Sequence, residues 1–134
     1  MLVLLAVLAG RFYWQQRRHE PSVAARLATY ANDSAPGTVV DLALLVPATW
    51  DTVHVFGPYT PSADVDAQLG FTWGGGETAR IAYNDGAQLL VFTLGKQVVA
   101  HHDIGRVLIA PARPIPRAKA RFVAGAGGLT WQGD

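Results

Sequence analysis

The chain has 134 residues and a net charge of +1, with 50% of residues hydrophobic and 16% charged. That balance excludes a disordered chain, because enough apolar surface exists to offset the ordering entropy of a fold, and the length suits about one domain. With no cysteine, disulfides, zinc–thiolate sites and an acylated cysteine are excluded as well.

Met1 to Ala9 is unbroken apolar sequence, followed by Gly10, Arg11, the aromatic cluster Phe12-Tyr13-Trp14, and Arg17-Arg18. A spanning helix needs about 20 apolar residues, and this run is shorter. An export signal has an apolar core of suitable length, but its basic residues come first, whereas here they follow. Three readings fit: the remnant of a membrane anchor, an export signal with an unusual front, or a buried or interfacial helix. Aromatic residues followed by arginine suit a membrane–water interface, so residues 1–20 are assigned an anchoring or signal-like role. Residues 21–134 are assigned to one α+β domain.

Val23, Leu27 and Tyr30 share one helical face, and the breaker cluster Asn32 to Gly37 ends that helix. Thr38 to Val46 alternates like a strand, with Val40, Leu42, Leu44 and Val46 on one side. Thr52 to Phe56 is a second strand, stopped by Gly57-Pro58. Thr60-Pro61 opens a helix to Leu69, with Thr60 as cap, Asp64 near the positive end of the dipole and Gly70 as a left-handed stop. After the Gly74–Gly76 loop, three strands are expected: Ala79 to Asn84, Gln88 to Leu94 and Gln97 to Asp103. Asp85-Gly86 and Gly95-Lys96 are their turns. The fold class is therefore an antiparallel sheet of about five strands with one short helix packed on it, plus an N-terminal apolar helix. Residues 104–134 are basic and rich in proline and glycine, with strand-like pieces at 106–110, 121–123 and 129–131.

Three groups of residues carry possible chemistry. Trp50, Asp51, His54 and Tyr59 frame a strand-to-helix corner. They read either as the edge of a ligand groove or as a packing motif, since aromatic residues bury large areas. The stretch Trp50-Asp51-Thr52-Val53-His54-Val55-Phe56-Gly57-Pro58-Tyr59-Thr60, with a helix ending Leu69-Gly70, resembles small uncharacterised bacterial membrane-anchored or lipoprotein-like domains. The resemblance covers about residues 38–103 and brings no activity with it. It implies a bacterial cell-envelope location behind an N-terminal anchor. This chain lacks the cysteine of the lipid-attached form.

The second group is His101-His102-Asp103. On a strand, His101 and Asp103 share a face. The pair could share a metal or form an acid–base couple, and a metal would need a third ligand, for which His54 and Asp51 are candidates if the two strands are neighbours. The third is Arg113, Arg117, Lys119 and Arg121, a spaced basic series suited to a polyanion. Few aromatic residues are interleaved with it, so anionic lipid fits better than nucleic acid. No serine elbow or phosphate loop is present, and no cofactor is expected. The preferred reading is a non-enzymatic, envelope-associated interaction or ligand-binding module for an unknown protein or small ligand. The alternative is a metal-dependent or acid–base hydrolase using His54, His101 and Asp103.

Overall fold

Ser22 accepts a hydrogen bond from the Ala25 amide and starts helix α1, Val23–Asp33. A hydroxyl at this position satisfies an amide that the helix itself leaves free. The computed structural model describes residues 21–134. The expected apolar helix within residues 1–20 lies outside the described residues. No helix among the described residues is long and apolar enough to cross a membrane.

The chain then forms β1 (Val39–Asp41), a single helical turn α2 (Leu42–Leu45), β2 (Thr52–Phe56) and helix α3 (Ser62–Leu69). It continues through β3 (Ala87–Leu94), β4 (Gln97–Gly105), β5 (Leu108–Ile109), β6 (Ile115–Pro116), β7 (Arg121–Gly125) and β8 (Gly128–Trp131). The strands make two four-stranded sheets, in the orders β1-β7-β8-β5 and β4-β3-β2-β6. The pairing is antiparallel except between β5 and β8, which run parallel. The α+β class holds, but the single sheet of about five strands does not.

Three local differences account for this. Thr38 to Val46 is not one strand. The Asp41 carboxylate accepts from the Ala43 amide and caps α2, so the chain coils after three extended residues. Leu42 and Leu45 still reach the core, while Leu44 is turned out. Ala79 to Asn84 is not a strand either: Arg80–Ala82 is a 3-10 turn. β3 already has β2 on one side and β4 on the other, which leaves it no edge for a third partner. Asn84 Oδ1 instead accepts from the Gly86 amide, so Asn84-Asp85-Gly86 closes a side-chain-stabilised turn. Finally, the residues from 104 onward build β5 to β8, and β7 and β8 form the middle of the first sheet.

The second sheet is covered on both faces. Val53, Val55, Leu90 and Phe92 point into a core shared with α1, α2 and the first sheet. Phe56, Leu89 and Val91 point into a smaller core closed by Val65 of α3 and by Ile81. A strand buried on both sides has no solvent face, which is why β3 reads as a near-continuous apolar run. Full burial of one such side chain stabilises by roughly 1.5–3 kcal/mol.

Candidate functional site

The corner begins where β2 ends. Thr60 donates its hydroxyl to the Gly57 carbonyl at 2.9 Å, closing the turn Gly57-Pro58-Tyr59-Thr60. The hydroxyl is therefore spent within the turn. Pro61 holds the cap position of α3 with no side-chain hydrogen bond, so the expected Thr60 cap is not formed. Gly70 ends α3 in the left-handed region (φ 84°), as its sequence position implies. Tyr59 is also left-handed, with φ 61°, and is the sole non-glycine residue of that kind among those described. A turn with proline second and a left-handed third residue ordinarily places glycine there. The Tyr59 amide donates to the Ile81 carbonyl at 2.6 Å, and its side chain is 58% exposed. Two residues past Ile81, Tyr83 is 69% exposed.

Behind the turn lies a cleft of about 380 Å³, lined by Gly57, Pro58, Arg106, Ile109 and Gly127 among others. Its floor includes Gln88, a polar residue at 7% exposure in the apolar strand β3. Gln88 Nε2 donates to the Leu108 carbonyl, and Oε1 accepts from the amides of Val107 and Leu108. The side-chain amide thus behaves as a strand partner for β5 and ties the two sheets together. Arg106 makes no ion pair among the described residues.

The other corner residues go elsewhere. Trp50 is buried in the first core, donates Nε1 to the Val46 carbonyl and meets Phe92 edge-on at 4.9 Å. Asp51 sits at the opposite end of β2 from Tyr59. One carboxylate oxygen accepts from the Gly95 amide at 3.1 Å and the other from the Thr52 hydroxyl. The Gly95 amide chiefly, and the Thr52 hydroxyl, hold this carboxyl below its ordinary pKa. A five-residue strand is about 17 Å long, so Asp51 and Tyr59 do not share one surface.

His54 is 3% exposed, stacked on Phe56, with Nδ1 3.1 Å from Gln68 Nε2 of α3. The Gln68 amide donates, so Nδ1 accepts and the ring proton sits on Nε2. Burial lowers the His54 pKa, partly opposed by the Asp51 carboxylate. His54 and His101 are both in register with Val91, one on each side of it. Two strand spacings put their backbones about 10 Å apart. His101 meets the Trp73 ring edge-on at 5.1 Å, and Asp103 accepts from the Arg80 amide. His102 faces Phe92, and its pKa is lowered first by burial and then by His101, with Asp103 opposing. No three His, Asp or Glu side chains gather as a metal site among the described residues, so His54, His101 and Asp103 are not assembled as a ligand set.

Of the basic series, Lys119 and Arg121 line one cavity with Asp134, while Arg117 is engaged elsewhere. Arg117 lies 4.6 Å over the Trp50 ring and donates to the carbonyls of Ala43, Ala48 and Trp50, so it clamps α2 to the loop that leads into β2. Arg113 and Lys119 both reach Asp134, and Arg121 reaches Asp41. Sequence reasoning missed Gln68, Gln88 and Tyr83. Only Gln88 carried a signal, as a lone polar residue opening an apolar run.

No protein-family model, curated protein or solved structure matches the chain.

Proposed function

We propose that this protein is a non-enzymatic binding module of the bacterial cell envelope, held at the membrane through residues 1–20. Its contact surface is the Gly57–Thr60 corner with Tyr59, Tyr83 and the adjoining cleft. The observation that carries this is Tyr59. A bulky side chain in the left-handed region costs about 1–2 kcal/mol, and a ring left mostly in water returns little of it. Such strain is typical of sites retained for contact with something else. Tyr59, whose neighbours Gly57 and Pro58 line the cleft, and Tyr83, two residues past the Ile81 carbonyl that the Tyr59 amide reaches, offer large amphipathic area with few rotatable bonds, which suits recognition.

Replacing Tyr59 or Tyr83 by photoreactive benzoylphenylalanine in the full chain tests this. Irradiation in bacterial cells should give one adduct of discrete mass from positions 59 and 83 and none from Lys96, which is exposed on the β3–β4 turn. The absence of adducts at both tyrosine positions, or the same adducts from Lys96, would refute the reading.

A further inference from the structure

Three of the large apolar side chains left exposed by the fold lie together. Tyr30 of α1 is 38% exposed, Val39 of β1 49%, and Leu44 of α2 81%. They line one groove of about 190 Å³ with Arg26 and Asp41. Leu44 is exposed for a local reason: the capped turn points Leu42 and Leu45 into the core and leaves Leu44 facing outward. The charges around it are net basic. Asp41 is matched by Arg121 at 3.5 Å, and Arg26 makes no ion pair among the described residues.

The chain's own length limits what this groove faces. Eight residues, Gln15 to Ser22, separate the apolar and aromatic run from Val23. Fully extended, they span at most about 30 Å. Arg26 is three residues into α1, about 4.5 Å further along the axis. If the run is held at a bilayer, the groove lies on the flank of the domain where the chain enters. The linker also carries Arg17 and Arg18.

We infer that the Tyr30–Val39–Leu44 face, edged by Arg26 and Arg121, rests on an anionic lipid surface, with Leu44 entering the headgroup region. The inference rests on the membrane-held reading above. Apolar side chains with adjacent basic residues suit this interface, where each basic residue near the surface strengthens attachment about fivefold. The groove and the Leu108 wall of the cleft are both built on the first core, whereas the turn that carries Tyr59 follows Phe56 of the second, so all are parts of one packed body. Docking through the groove therefore fixes the orientation in which the corner is presented.

The chain has no cysteine, so one introduced thiol gives one labelled site. The full chain carrying Leu44→Cys or Tyr83→Cys is labelled with an environment-sensitive fluorophore. It is then mixed with phosphatidylcholine vesicles with or without phosphatidylglycerol. Flotation with the vesicles reports the membrane-held reading alone. The label at 44 should shift to the blue and be quenched by spin-labelled lipid, while the label at 83 stays in water. Phosphatidylglycerol should strengthen the response, and adding Arg26→Glu should weaken it about thirtyfold, as expected for two units of charge. A chain that does not float overturns both readings. A chain that floats with the label at 44 in water overturns only the docking face. A blue shift without lipid that grows with protein concentration shows a second copy covering the groove, and overturns it too. So does a response indifferent to phosphatidylglycerol and to Arg26→Glu.

Discussion

Gln88→Leu is expected to loosen β5 from β3 while leaving β3 itself intact. In the native fold the Gln88 amide satisfies the Leu108 carbonyl and the Leu108 amide, and shares the Val107 amide. The Val107 amide keeps a second acceptor in the Gly105 carbonyl at 2.9 Å. Leu108, at 5% exposure, has no such reserve at its amide or carbonyl beyond what the parallel pairing with β8 supplies. Two buried groups losing a partner cost about 1–3 kcal/mol each. The added apolar surface of leucine offsets about 1 kcal/mol of that. The net loss is therefore about 3 kcal/mol, a large part of the 5–15 kcal/mol typical of a domain. Urea denaturation measures it as a fall in midpoint at unchanged slope. Hydrogen exchange should show the Leu108 amide losing protection while those of Leu90 and Phe92 keep theirs relative to the global stability. Gln88→Glu should do no better, since its second oxygen would face the Leu108 carbonyl as an acceptor. A loss below about 1 kcal/mol in Gln88→Leu, with Leu108 still protected, would refute the clamp.

Stability should fall as pH drops below the ordinary histidine value of about 6.5. His54 and His102 both have lowered pKa values through burial, so the unfolded chain takes up protons there before the folded one does. Stability then rises with pH across that window, because the unfolded state binds more protons, and it levels off above about 6.5. Denaturation midpoints at several pH values measure the slope. His54→Gln should reduce it, and an unchanged slope in that variant would assign the effect to other groups. Gly75→Ala should displace Trp73, since an added Cβ would overlap the indole ring that lies against Gly75. Overpacking of this kind costs about 1–3 kcal/mol. The edge-on contact of Trp73 with His101 should go with it, which proton NMR of the His101 ring reports through its ring-current shift.

The parts of the fold visible in the sequence were those governed by neighbouring residues. Thr52–Phe56, Ser62–Leu69 and the β3–β4 hairpin around Gly95 all stand where alternation, Gly-Pro stops and a left-handed glycine place them. What failed was settled by distant partners. Ala79 to Ala82 keeps the alternating burial of a strand, with Ala79 and Ile81 inside, yet the segment coils because both edges of β3 are taken. The same limit applied to the candidate residues. Trp50 and His54 sit four apart on one strand region but face different cores, and Arg117 is committed to Trp50 from 67 positions away. Gln68 could not be linked to His54 from sequence, because their meeting depends on how α3 lies across the second sheet.

Tyr59 offers the sharpest separation of structural from functional cause. Its φ of 61° suits glycine, and its ring is 58% exposed. Tyr59→Ala removes the ring but keeps a Cβ in the left-handed region. Tyr59→Gly removes both. Ring burial is lost equally in the two, so their difference in stability isolates the backbone term. Glycine should be the more stable by about 1 kcal/mol, less a few tenths for the freedom it adds to the unfolded chain. Both variants should lose the adduct that forms at position 83, because the ring at 59 is part of the contact. Equal stabilities would mean that the corner carries no strain, and the reason for linking Tyr59 to recognition would be gone. If glycine is the more stable and the position-83 adduct persists in both variants, the strain is real but serves something other than binding at this corner.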